Sequence, residues 1–159
     1  MKYSDDLFDV NHDLKMASIT GVFCALTSAI ATISNIGAAY IFISILVGNL
    51  LALKVDSIPH WVTLAVFVAL CLIAGIPNLD MIVLIICILA AITDEIGHEV
   101  IPTASENRFL NLFFEYRFVM KIVVLLLAVY GAFSLWVFAF FLAFEIAYEL
   151  EGVIFEKFN

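Results

Sequence analysis

Charge is scarce in this chain, and basic charge is scarcer still. Seven Lys and Arg stand against 15 Asp and Glu among 159 residues, for a formal net charge of −8. Nucleic-acid binding needs a basic face to neutralise phosphates, so nucleic acid is excluded as an expected partner. Cysteine is nearly missing. Cys24, Cys71 and Cys87 lie far apart, each within an apolar segment, and show neither metal-ligand spacing nor a paired framework. They read as small packing residues. A Ser-His-Asp spacing, an HExxH pair, a P-loop and a glycine-rich dinucleotide motif are also absent, which leaves the catalytic residues unknown.

What the chain does have is apolar length. Hydrophobic residues make up 65% of it and its mean hydropathy is +1.14, well above the usual share in a soluble domain. A chain of this size could not cover such a core with polar surface, so an integral membrane protein is expected. A secretory signal fits poorly, because Met1 to Asp13 is acidic and the first apolar run has no clear small-residue cleavage site.

Residues 1–15 form a polar segment, with Asp5, Asp6, Asp9 and Asp13 set among Leu7, Phe8, Val10 and Leu14. A short helix on the membrane surface suits that pattern. Residues 16–53 are one apolar run. As a single helix the run would rise roughly 57 Å, against a ~30 Å hydrocarbon core, so it must fold back. Ser34-Asn35-Ile36-Gly37 is the best turn, since Asn and Gly tolerate left-handed backbone. Further turns fall at Lys54–His60, at Gly75-Ile76-Pro77-Asn78 and at Tyr130-Gly131. Thr103-Ala104-Ser105-Glu106 reads as a capping box. It precedes an amphipathic interfacial helix carrying Phe109, Leu110, Leu112, Phe113, Phe114 and Tyr116. Gly152 reads as a helix stop.

The expected fold is therefore an all-α, polytopic membrane bundle. Residues 16–152 hold six transmembrane helices as three hairpins, near 16–33, 38–54, 61–74, 79–95, 117–130 and 132–150. The interfacial helix lies near 104–116, and a tail covers 153–159. With the N-terminus on one side and the spans alternating, Lys2, Lys15, Lys54, Arg108, Arg117, Lys121 and Lys157 all fall on that side. That is every Lys and Arg in the chain. By the positive-inside rule that side is the cytoplasm, with both termini there. Every acid except Asp80 falls on it too, as do all three histidines. Asp80 reads as a helix-start residue. Few strongly polar groups remain at mid-bilayer depth, where a charge costs at least ~2.5–3.5 kcal/mol.

Chemistry, if any, belongs to the stretch Thr93-Asp94-Glu95-Ile96-Gly97-His98-Glu99-Val100-Ile101-Pro102. Glu95 and His98 share a helical face, and Glu99 follows one turn after Glu95. Carboxylate and imidazole donors suit a divalent cation. Asp94, Glu95, His98, Glu99 and Asp56 are the candidate metal ligands, with Mg²⁺ preferred because it recruits phosphates. Lys54, His60, Asn49, Glu145 and Glu149 are candidate substrate contacts at the same bilayer level, with Lys54 on a phosphate. The bland alternative is that these acids mark where helices leave the membrane.

Glu95-x-x-His98 matches the half-motif of di-iron carboxylate proteins, but those need two copies and two further Glu, and the chain has one copy. Asp94-Glu95-Ile96-Gly97-His98 also resembles the second Asp-rich, Gly-containing motif of UbiA-type prenyltransferases. The resemblance implies Mg²⁺-held prenyl diphosphate at cytoplasmic helix ends. It covers about a dozen residues. Asn49 to Asp56 departs from that family's first motif, and 159 residues fall short of its usual nine helices.

Two functional classes follow. One is a membrane lipid or prenyl enzyme, or binding protein, that holds a divalent cation and a lipid-soluble or phosphorylated substrate. The other is a small transporter or channel with the same cluster at its cytoplasmic mouth; a structural membrane subunit is a third reading. Membrane lipids are the expected partners, with a lipid or small-molecule substrate, and a homo-oligomer is compatible.

Overall fold

The computed structural model describes residues 1–158, apart from the side chains of Glu156 and Phe158. The described residues form eight α-helices and no strands: α1 Lys2–Asp9, α2 Leu14–Ser34, α3 Ile36–Leu51, α4 Ile58–Ala74, α5 Met81–Ala104, α6 Arg108–Glu115, α7 Phe118–Val129 and α8 Leu135–Phe158. The all-α expectation holds. Two of these helices, α2 with 21 residues and α5 with 24, are long and apolar enough to cross a membrane. The other four expected spans fall short of that mark for identifiable reasons. α3, α4 and α7 have 16, 17 and 12 residues, at or below the length a span needs. α8 is long enough but carries Glu145, Glu149 and Glu151.

Short polar side chains set the helix boundaries. Asp13 accepts from Met16 N–H at 3.0 Å and starts α2. Asp80, as expected, starts α5 by accepting from the amides of Ile82 and Val83. Asn35 is at once the last cap of α2 and the first of α3, accepting from Gly37 and Ala38. It turns the chain in extended backbone, φ −144°, and not in the left-handed conformation expected there. Gly75 and Gly131 do take positive φ, 80° and 83°, where a side chain would be strained.

Three boundaries depart from the sequence reading. Helix α5 runs through the acidic stretch and past Pro102 to Ala104. Proline is tolerable there because the last turn still closes, with Ser105 N–H donating to the Ile101 carbonyl at 2.9 Å. The Thr103–Glu106 capping box does not form. Thr103 Oγ1 donates back to the Val100 carbonyl, and Asn107 caps α6 instead. Gly152 does not stop α8. A Cβ there would lie 2.2 Å from Lys2 Cε, so its bareness makes room for the Lys2 stem. Asn159, in the expected tail, lies outside the described residues.

Helix α2 packs on α4 and α3, α3 on α5, α5 on α7, and α7 on α8, which also touches α3 and α1. Consecutive α4 and α5 are not a packed hairpin: α4 lies along α2 and α5 along α3. The extended Gly75–Asp80 linker makes this reach feasible, since six extended residues span up to about 20 Å. Early α2 meets early α4, where a Cβ on Gly21 would lie 2.3 Å from Thr63 Oγ1. Late α3 meets α5, where a Cβ on Gly48 would lie 2.8 Å from that of Ala91. Both pairs are thus parallel. Small residues make the close approach: Ala17, Gly21, Ala25, Ala29 and Thr32 are the buried positions of α2. Large apolar side chains face outward, including Leu72 at 79% exposure, Ile73 at 84% and Phe140 at 70%. The largest internal cluster joins α3, α5, α7 and α8 around Tyr40, Ile41, Cys87, Met120, Val124 and Phe141.

The Gly48 contact is tight and involves an Ala Cβ that moves only with its backbone. Gly48→Ala is expected to lower stability by about 1–3 kcal/mol through overpacking, read from unfolding in detergent. Gly75→Ala is the useful comparison, since a Cβ there meets nothing within 4 Å and any loss reflects only its positive φ.

Candidate ionic site at one end of the bundle

One end of the bundle gathers the charge. It holds the start of α2, the end of α3, the start of α4, the end of α5, helix α6, the start of α7 and the latter half of α8. The ion pairs Lys54–Glu99, His60–Asp5, His60–Asp56, Arg117–Glu95 and Lys121–Glu145 lie there. The opposite end is tied by Tyr40, whose hydroxyl accepts from Asp80 N–H at 2.6 Å and whose ring meets Phe133.

The central feature is the junction of α5, α7 and α8. Helix α7 starts at Phe118 after Arg117, which sits in left-handed backbone at φ 48° and offers no side-chain cap. The free amides of that first turn are satisfied from outside. Asp94, 2% exposed, accepts from Val119 N–H at 3.0 Å and Met120 N–H at 2.7 Å. A carboxylate at a helix N-terminus also meets the positive end of the helix dipole. Its neighbour Glu95 lies 3.1 Å from the Arg117 guanidinium. That guanidinium sits 5.4 Å from the Tyr148 ring centroid on α8, within cation–π range. Lys121, one turn beyond Arg117, is 2.7 Å from Glu145 of α8 and also donates to the Tyr116 carbonyl. Left-handed backbone at a non-glycine costs about 1–2 kcal/mol. It persists because Asp94 fixes the amides of Val119 and Met120 that follow and Glu95 holds the Arg117 side chain.

A second group lies at the base of α4. His60 Nε2 is 2.9 Å from Asp5 of α1, and its Nδ1 is 3.3 Å from Asp56 and 2.8 Å from Ser57 Oγ. Lys54 and Glu99 form an exposed pair at 3.1 Å, of the kind worth at most about 1 kcal/mol.

The candidate residues are therefore brought to one end but not to one point. Asp94 and Glu95 turn toward α7, Glu99 toward Lys54, and Asp56 toward His60. His98 is exposed, with Nδ1 3.3 Å from the Phe114 carbonyl. Asn49 gives its backbone carbonyl to Lys54 N–H. Glu145 is buried on Lys121, whereas Glu149 makes no ion pair among the described residues. No group of three or more His, Cys, Asp and Glu among the described residues comes together in a way that could hold a metal ion. Sequence reasoning missed Arg117, Lys121, Tyr148 and Asp5. The first two carried a signal: they are cations four apart, hence on one face, at the mouth of an otherwise uncharged helix. Comparison of the chain with protein-family models, curated proteins and solved structures gives no match.

Removing one partner of a buried pair is more damaging than the pair is worth, because the other charge is left unpaired. Glu95→Gln, which strands Arg117, is expected to destabilise the fold by about 3–5 kcal/mol. Asp94→Ala, which strands two amides, should cost about 1–3 kcal/mol. Lys54→Ala should stay within about 0.5 kcal/mol of the parent. Unfolding titrations of the three variants test this order.

Proposed function

We propose that the chain is a multi-pass membrane protein with six spans, both termini and the charged end in the cytoplasm, acting as a small transporter or channel whose cytoplasmic mouth the ionic layer closes. The carrying observation is that Arg117–Glu95 and Lys121–Glu145 tie α5, α7 and α8 together at that mouth. Buried ion pairs are poor stabilisers, and well-packed apolar residues hold helices at least as well. What charge pairs add is a connection that can break and re-form.

The membrane part of the reading draws support from three directions. The buried stripe of α2 is made of small residues and many large apolar side chains face outward, the packing that suits lipid, where close van der Waals contact joins helices. The chain's Lys and Arg all gather on one side when spans alternate. The short α3 and α7 gain length from flanking residues such as Ala52, Leu53 and Tyr130. The transport reading is favoured over a metal-dependent lipid enzyme because the carboxylates a metal would need are each engaged by a different partner.

Single cysteines at Ser34, Asn78 and Ser105, in a background without the native three, should label from outside at Ser34 and Asn78 only. Outside labelling at Ser105 would overturn the topology. In proteoliposomes, Lys121→Gln should raise permeability to H⁺, K⁺, Cl⁻ or a small polyol by about tenfold or more, the change 1.4 kcal/mol produces in a closed–open balance. The paired change Lys121→Met with Glu145→Leu should instead reduce flux below the parent. Identical permeability in all three proteins sinks the gate. Saturable Mg²⁺ uptake by the parent would return the site to the lipid-enzyme class.

A further inference from the structure

Helix α1 is a separate eight-residue unit laid across the charged end. A helix this short is marginal on its own, so its order depends on what holds it. Ser4 Oγ donates to the Ala17 carbonyl at 2.7 Å, Leu7 packs with Ala17 and Phe155, and Tyr3 meets the Phe155 ring edge-on. The Lys2 stem lies across Gly152 and the Met1 ammonium reaches Cys24, and a further, ionic anchor is Asp5 on His60. That anchor has an unusual geometry, because both nitrogens of one imidazole face carboxylate oxygens from different parts of the chain. Asp5 Oδ1 is closed off from solvent and makes no geometrically formed hydrogen bond; its close polar neighbour is this ring nitrogen, at ion-pair distance. A neutral imidazole carries one N–H, and only the imidazolium carries two. Only the imidazolium presents an N–H and a positive charge to both carboxylates; the neutral ring keeps one N–H, with Ser57 Oγ 2.8 Å from Nδ1 as an alternative partner, and loses the ionic attraction to Asp5 and Asp56.

We propose that Asp5, His60 and Asp56 form a proton-binding latch that helps hold α1 on the bundle and loosens it as His60 loses its proton. The charged groups facing the ring are Asp5 from α1 and Asp56 from its own loop; the nearby face of α2, Ala17 and Gly21, is uncharged. The electrostatics run the same way. The hydrogen bond from Asp5 is the largest influence, burial opposes it, and Asp56 adds to it, leaving the His60 imidazolium above its ordinary 6.5. A folded-state value that is raised gives a contribution fully present below about 6.5 and lost as pH climbs through the raised value. Two other titratable groups bear on α1. The Met1 ammonium donates to Cys24 Sγ at 3.4 Å. Glu151 is pushed up by burial, then by Asp6. The inference rests on the contacts of α1 alone and stands apart from the transport reading.

The test uses the full chain in lipid nanodiscs, without native cysteines and with His12→Gln and His98→Gln, so that His60 is the one histidine left. Spin labels at Asp9→Cys and Ser105→Cys report the distance from α1 to the end of α5. Between about pH 5.5 and 8.5, where histidine titrates, one narrow distance at low pH should give way to a broad population, with its midpoint above 6.5. His60→Gln should show the broad population throughout, and Asp5→Asn should move the midpoint down. A distance that does not change with pH, or the same titration in His60→Gln, overturns the latch. A nuclear magnetic resonance titration of the His60 ring in the unmodified contact set needs no change at the latch. A midpoint above 6.5 supports the proposal, and one at or below 6.5 refutes it.

Discussion

The bond between the Asp94 carboxylate and the first amides of α7 is the constraint on which the charged end depends. A helix N-terminus in an apolar bundle presents amides that have no partner of their own, and leaving them unsatisfied away from water is costly. Helix α7 begins with no cap from its own chain neighbours, so the acceptor must come from another helix, and α5 supplies it. Once Asp94 is seated, much follows from helical geometry. Glu95 is the next residue and faces Arg117. Lys121 is one turn beyond Arg117 and lands over Glu145. One buried carboxylate thereby sets the relative position of α5, α7 and α8.

Away from that junction the helices are held by shape. Gly21 against Thr63 and Gly48 against Ala91 allow backbones to come close, and the buried stripe of α2 is Ala, Gly and Thr. Close approach multiplies weak dispersion contacts without a thick layer of large side chains between helices. Many large apolar residues are left for the outer surface, while Tyr40, Ile41, Met120, Phe133 and Phe141 fill the cluster between α3, α5, α7 and α8. In water that arrangement would expose a far greater apolar patch than monomers tolerate; against hydrocarbon it has no such cost. The same logic explains Gly97, where a Cβ would meet the Phe114 ring at 2.0 Å. Its bareness lets α6 fold back against α5, keeping the charged end compact.

Most helices were legible in the sequence because their boundaries are local chemistry. Asn35, Asp80, Gly75 and Gly131 interrupt apolar runs, and each sits at a helix end. The failures came where a distant partner decided. Nothing within Gly152 and its neighbours announces that Lys2 will lie across it, so a glycine that reads as a stop became a packing position. Pro102 reads as an end, but the turn after it closes and α6 supports it. The candidate site was legible as a set of residues at one level and illegible as a set of pairs. Which acid meets which cation depends on the packing order of helices, and the extended 75–80 linker broke the expected hairpin pairing of α4 with α5. Asp94 was the sharpest case. A carboxylate beside Glu95 and His98 reads as a metal ligand, whereas the start of a helix some 25 residues later needs it more.

The two ends of the bundle are built from different materials, and that difference bears on how it can move. At one end, four ion pairs bridge separate elements. Each can be weakened by a proton, a competing ion or a change in local water. At the other end the contacts around Tyr40 include a hydroxyl, an amide and two rings, which carry no charge for a proton or a competing ion to act on. The bundle is thus fixed at one end by neutral contacts and at the other by charges. If the charged end parts as the transport reading proposes, Tyr40, Asp80 and Phe133 are the neutral contacts that stay joined at the other end. The parallel stacking of α2 on α4 and α3 on α5 suits such motion, since each pair can tilt as a unit about its uncharged end.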